Sequence, residues 1–161
     1  MAQLWEKTAL FFGTGLGIGL IPFAPGTFGT LWGLPLVWGL QHFALPLQLA
    51  SVVVIFLLGV PICQSAETAL GMADPGAVVY DEIAAMPIVF LVTPLTWSTA
   101  ILGFFWFRLF DIWKPWPASR LEQLHGGLGI MLDDAVAGIY AALALWVTVK
   151  LTGLEAAQSF Y

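Results

Sequence analysis

Leu47 to Cys63, LQLASVVVIFLLGVPIC, passes without one charged side chain. A run of that length and polarity fits a thin bilayer span. It narrows the possible folds sharply, because backbone in hydrocarbon must satisfy its own hydrogen bonds. The rest of the chain points the same way: 60% of its 161 residues are hydrophobic and 9% charged, and the mean hydropathy is +0.91. Eight Trp and twelve Phe add to that excess. Soluble domains are far more polar, so the composition describes a polytopic membrane protein in one compact domain. A net charge of -5 and a pI near 4.6 oppose nucleic-acid binding, which needs a basic surface. Cys63 is the only cysteine, so there is no intramolecular disulfide. Met1 to Lys7 is too short and too acidic for a signal peptide's basic region, and the N-terminus is expected to stay with the mature protein.

Breaks divide the remaining apolar residues. A segment from Thr8 to Leu20, interrupted by Gly13, Gly15, Gly17 and Gly19, runs into IPFAPGTFGT, where Pro22, Pro25, Gly26 and Gly29 predict a structured turn. A short helix is expected from Thr30 to Phe43, with Ala44 to Pro46 turning the chain. The Leu47 span continues as a more amphipathic helix to Met72, and Asp74, Pro75 and Gly76 make a turn outside the hydrocarbon. Further helices are expected over Asp81 to Val92, Trp97 to Asp111 and Ile130 to Leu151. WKPWP and a Gly126 to Gly129 turn separate the last two. The fold class is all-α, a polytopic bundle with short or broken helices.

This reading sorts the charges to one side. Asp81 and Glu82 open one helix, Asp111 closes the next, and Asp133 and Asp134 lie near the start of the last, so short antiparallel connections bring all five acids to one interface. Lys7, Arg108, Lys114 and Arg120 join them, leaving Lys150 opposite. The positive-inside rule makes the acid-bearing face cytoplasmic.

Crowded carboxylates repel one another unless a cation neutralises them. Mg2+ takes carboxylate oxygens and substrate phosphate, so the DE and DD pairs, with Asp111 between, suit one or two such ions. Arg108, Asp111 and Lys114, spaced i, i+3, i+6, drift only slightly around one helix face. Arg108 and Lys114 would then meet phosphate oxygens. The glycine-rich loop, with Gly26, Thr27 and Thr30, could present N–H groups to an anion. His125 is the one histidine near the cluster. Trp113 and Trp116 suit an interfacial belt. Together these residues describe a membrane phosphoryl-transfer or phosphate-hydrolysis site. A cysteine-phosphatase loop is excluded, since Ala69 stands six positions after Cys63, and no DxDxT loop is present. A small cation- or proton-coupled transporter is the main rival, but a transporter site belongs near the bilayer midplane. A catalytically silent scaffold would not need such a cluster.

The runs PFAPGTFGT (22 to 30), YDEIAAM (80 to 86), FRLFDIWKPWP (107 to 117) and HGGLGIMLDDAVAG (125 to 138) resemble, in order, the motifs of the phosphatidylglycerophosphatase A family. The resemblance spans nearly the whole chain. It implies an Mg2+-dependent enzyme of the bacterial inner membrane that converts phosphatidylglycerophosphate to phosphatidylglycerol and phosphate, with the lipid entering from the leaflet. Asp81, Glu82, Asp133 and Asp134 would hold the metal. Asp111 or one of the paired acids would take the proton of the attacking water, with Asp111 as nucleophile the variant route. Arg108 and Lys114 would stabilise charge, and Gly26, Thr27, Thr30 and His125 would contact substrate. Two positions depart from the family pattern: Thr30 stands where Ser is usual, and Ala85 where glycine is frequent.

Overall fold

The computed structural model describes residues 2–154. They form seven α-helices and one 3-10 turn, with no β-strand among them: α1 (Ala2–Gly13), the 3-10 turn (Ile18–Leu20), α2 (Pro25–Leu40), α3 (Leu45–Leu70), α4 (Tyr80–Val89), α5 (Trp97–Trp113), α6 (Ala118–Leu121) and α7 (Gly127–Thr152). The all-α architecture is therefore the observed one. Two helices, α3 and α7, are long and apolar enough to cross a membrane. They differ in what covers them, because the most apolar stretch of α3 is only 6% buried by protein whereas that of α7 is 50% buried. Val53, Val54, Leu57 and Leu58 of α3 face outward, an apolar surface of the kind that lipid covers at no cost.

The short helix α4 organises the bundle. At 10 residues it is about 15 Å long, half a hydrocarbon core. It packs against α2, α3 and α7, which leaves Ala84, Ala85, Met86, Pro87 and Val89 buried. Glycines on its neighbours set the close approach. A Cβ on Gly33 would stand 2.7 Å from Met86, and one on Gly138 would stand 3.2 Å from the carbonyl of Ala85. The alanine at 85 fits because α7 supplies glycine opposite it. One apolar core joins α2, α4, α5 and α7 through Val37, Met86, Phe90, Phe107 and Leu145. A second joins α3, α4 and α7 through Cys63, Ala84 and Met131.

Behind α4 the chain turns with Thr93, Leu95 and Thr96 buried, where unpaired backbone groups are expensive. Gln41, just past α2, meets that need. Its Nε2 donates to the carbonyls of Phe90 (3.2 Å) and Thr93 (3.1 Å), and its Oε1 accepts from the Leu95 N–H (2.7 Å). A reciprocal Thr96–Thr99 capping box then starts α5.

Several boundaries differ from the sequence expectation, each for a local reason. The polar start is helical from Ala2, Met1 lying outside the described residues, and α1 ends at Gly13, so the Thr8 to Leu20 segment is a helix end plus a 3-10 turn. The proline at 25 does not extend the loop. It occupies the first turn of α2, where its missing N–H costs nothing, so PGTFGT is helical and the true break is the left-handed Ala24. Pro46 likewise starts α3. Helix α4 stops at Val89, three residues before the expected end, and the short α6 forms directly after the expected WKPWP break, before α7.

The expected Gly126 to Gly129 turn is the start of α7. Gly126, at φ 81°, precedes the helix, and Gly127 and Gly129 lie within it because neighbours crowd them. A Cβ on Gly127 would collide with the carbonyl of Val60 and stand 2.7 Å from the backbone nitrogen of Gln64. Neither backbone atom can rotate away. Gly127→Ala is expected to cost about 2 kcal/mol and to lower the thermal midpoint by roughly 4–8 °C. Tryptophan fluorescence during heating in detergent measures it, and an unchanged midpoint would contradict the close α3–α7 crossing.

Candidate active site

The five acids do converge. Asp81 and Glu82 occupy the first turn of α4, where the helix dipole favours negative charge. Asp133 and Asp134 are buried within α7, beyond its first turn, and draw no such support. One oxygen from each of Asp81, Glu82 and Asp134 lies within 4.8 Å of the others. Asp81 Oδ1, Glu82 Oε2 and Asp134 Oδ2 are buried with no hydrogen-bond partner among the described residues. Neither Asp81 nor Asp134 makes an ion pair there. Unpaired buried carboxylates are costly, and hard oxygen donors gathered this closely suit a divalent cation. The donor set fits the expected Mg2+.

Asp133 points elsewhere. Successive residues on a helix diverge by about 100°, and its Oδ2 accepts from Lys114 Nζ at 2.7 Å. Lys114 also donates to Glu122 at 2.8 Å. Burial alone would lower the lysine's pKa, but the two carboxylates outweigh it and hold the ammonium above its usual range. The α5 helix persists through Trp113, so Arg108 and Asp111 sit one turn apart and form an ion pair of 2.5 Å. Arg108 also reaches Glu82 at 3.8 Å, tying α5 to α4. Lys114 lies past the helix end in a left-handed conformation, so it meets α7 instead of continuing the Arg108 face.

The N-terminus of α2 enters the same place. At Gly26 an added Cβ would overlap Glu82 Oε1 and stand 3.0 Å from the Arg108 guanidinium. Backbone therefore approaches the acid–arginine pair where no side chain fits. Thr27 is half-buried in that first turn. Thr30 is fully buried, and its hydroxyl donates to the Gly26 carbonyl at 2.8 Å, so it steadies the loop from behind. The hydroxyl is what the position requires, and threonine retains it.

His125 is exposed before α7 and lines a cavity of about 370 Å³ with Asp74, Glu122 and Asp133. That cavity's lining takes in Asp133 but not Asp81, Glu82 or Asp134. Trp113 and Trp116 are exposed beside the site, as an interfacial belt requires. Two partners carried no sequence assignment. Glu122 is not among the five acids that the sequence brings to one interface. Gln64 accepts from the Gly127 N–H at 3.1 Å, and nothing in the apolar run around it signals a contact with α7.

The family model described as Phosphatidylglycerophosphatase A matches residues 11–149. Phosphatidylglycerophosphatase A of Escherichia coli (strain K12) is 40% identical over 150 residues, covering 91% of this chain and 84% of the relative. That of Haemophilus influenzae is 40% identical over 135 residues, covering 82% and 83%. A Bacteroides thetaiotaomicron protein, provisionally named as a phosphatidylinositol-3-phosphatase, is 37% identical over 151 residues, covering 86% and 94%. No solved structure matches. The match takes in α2 through almost all of α7, every charged residue of the site included, and the chain belongs to the phosphatidylglycerophosphatase A family.

Proposed function

We propose that the chain is a divalent-cation-dependent phosphatase that removes the terminal phosphate of phosphatidylglycerophosphate at the cytoplasmic face of a bacterial inner membrane. The observation that carries this reading is the set of unpaired buried oxygens on Asp81, Glu82 and Asp134 beside Arg108. Arg108, Lys114 and Arg120 cluster on the acid-bearing half of the sequence pattern, which the positive-inside rule places in the cytoplasm.

Asp81, Glu82 and Asp134 would hold Mg2+, which when bound supplies charge neutralisation and polarisation of a phosphoryl oxygen. The guanidinium of Arg108, already oriented by Asp111 and Glu82, offers paired donors to the equatorial oxygens as negative charge builds on them. Backbone at Gly26 and Thr27, at a helix N-terminus, receives another oxygen. Asp111 lies beside the triad without belonging to it and takes a proton from the attacking water as the new P–O bond forms. That proton then returns to the glycerol oxygen as the old P–O bond breaks. Lys114 is held by Glu122 and by Asp133, the neighbour of Asp134 on α7. Exposed Phe23, Leu20 and Phe28 flank the α2 entry and give acyl chains an apolar approach from the leaflet.

A second substrate, another lipid phosphomonoester, is favoured by the name of the Bacteroides relative. The test is phosphate release by the detergent-solubilised protein from phosphatidylglycerophosphate, phosphatidic acid and phosphatidylinositol 3-phosphate, with EDTA and after Mg2+ addition. Release is expected to be fastest from phosphatidylglycerophosphate, to vanish in EDTA and to return with Mg2+. Release unaffected by EDTA would overturn the cation's role, and preference for another lipid would reassign the substrate.

A further inference from the structure

The segment from Lys114 to Pro117 carries a lysine of the site, yet little side-chain burial holds it in place. Trp113 and Trp116, the large side chains on it and beside it, are 68% and 73% exposed. Lys114 itself takes φ 45°, in the left-handed region that is costly for any residue with a side chain. Backbone so placed persists only where its surroundings fix it.

Polar ties do the fixing. The Lys114 N–H donates to the Phe110 carbonyl at 2.8 Å and closes α5. Farther on, the Ala118 and Arg120 N–H groups donate to the carbonyls of Pro115 and Pro117, at 2.9 Å each. The carbonyl between those two, that of Trp116, accepts from the Tyr140 hydroxyl at 2.8 Å. Tyr140 follows Asp133 on α7 by about two turns and lies on nearly the same face. Helix α7 therefore grips the segment twice, at Lys114 through Asp133 and at Trp116 through Tyr140. The tyrosine ring packs against Phe110 of α5, with centroids 5.6 Å apart, so packing aims its hydroxyl.

We propose that Tyr140 is a positioning residue for the phosphatase reaction, an inference that rests on the reading given above. Its hydroxyl holds the Trp116 carbonyl and thereby keeps the Lys114 ammonium against Asp133, next to the carboxylate triad. Tyr140 touches neither the triad nor the phosphate. It acts through the backbone that carries the lysine.

Tyr140→Phe keeps the ring against Phe110 and removes only the hydroxyl. Its kcat should fall about tenfold with KM little changed, as for the loss of a group that orients a contacting one. Acylation of Lys114 by acetic anhydride, read by mass spectrometry of the detergent-solubilised full chain, reports the lysine's position without reference to activity. It should run about fivefold faster in Tyr140→Phe, the scale of one hydrogen bond, while exposed Lys7 reacts as in the wild type. Thr148→Val is the control. It removes another tie between α5 and α7, from Trp106 Nε1 to Thr148 Oγ1 at 3.1 Å, and should leave both readouts unchanged. In a Lys114→Gln background, Tyr140→Phe should cost nothing further, because the two act as one unit. An equal loss in both backgrounds, a like change in Thr148→Val, or unchanged Lys114 acylation in Tyr140→Phe would overturn the positioning role. A wild type that releases no phosphate would sink the phosphatase reading instead, and the acylation rates would still decide whether Tyr140 holds Lys114.

Discussion

Asp134→Asn is expected to reduce phosphate release roughly a thousandfold, the scale on which one electrostatic contact to a transition state is lost. The substitution keeps the shape of the side chain and removes its charge, so the packing of α7 against α4 should survive. What it removes is specific. Asp134 is 3% exposed, has an oxygen with no partner and meets Asp81 and Glu82 within 4.8 Å. No Lys or Arg among the described residues pairs with it. A bound cation would offset the cost of a carboxylate in that state. Mn2+ titration followed by electron paramagnetic resonance supplies a second readout, in which Asp134→Asn should weaken binding whether or not substrate is present.

The adjacent residue provides the contrast. Asp133→Asn leaves the triad intact and loosens Lys114, which keeps Glu122 as its other partner. Its cost should fall between about tenfold and a hundredfold, as for residues that orient a contacting group. Mn2+ affinity should change little. Equal loss of activity and Mn2+ binding in the two variants would contradict the division of labour between them.

That division shows where sequence reasoning reaches its limit. The DE and DD pairs, Asp111 and Arg108 were readable as one site because rare charges in an apolar chain, placed at the ends of successive helices, leave few arrangements. Which acid of a pair faces inward depends on rotation about the helix axis. That rotation is fixed by tertiary contacts such as Gly138 against Ala85. The length of α4 was legible only to within a turn, because its end is set by Gln41, the residue just past α2 that bonds the backbone after α4. Glycines misled for a related reason. Gly127 and Gly129 read as a turn from composition, yet crowding by Val60 and Leu124 shows that they serve backbone approach inside a helix. Position-specific contact distinguishes those uses, and local sequence does not carry it. Thr30 illustrates the same point at the site itself: a hydroxyl in a phosphate-loop pattern turns inward to hold the loop.

Gly26→Ala, by the same logic, should lower phosphate release about a hundredfold without unfolding the protein. A methyl group there would overlap Glu82 Oε1 and press to 3.0 Å from Arg108. Relief can come from only two directions. Either Glu82 and Arg108 swing away, which breaks the 3.8 Å link between α4 and α5, or the start of α2 backs out and carries the Gly26 and Thr27 backbone with it. Both displace a group from the reacting phosphate by around 1 Å, a shift able to cost about a hundredfold in rate. Gly39→Ala, in the same helix but with nothing within 4 Å of the added carbon, isolates that effect from helix propensity and should leave the rate unchanged. The comparison separates a loop that merely enters the first turn of a helix from one whose backbone is a working wall of the site. Full activity in Gly26→Ala would mean that the wall stands elsewhere and that Arg108 alone receives the phosphate.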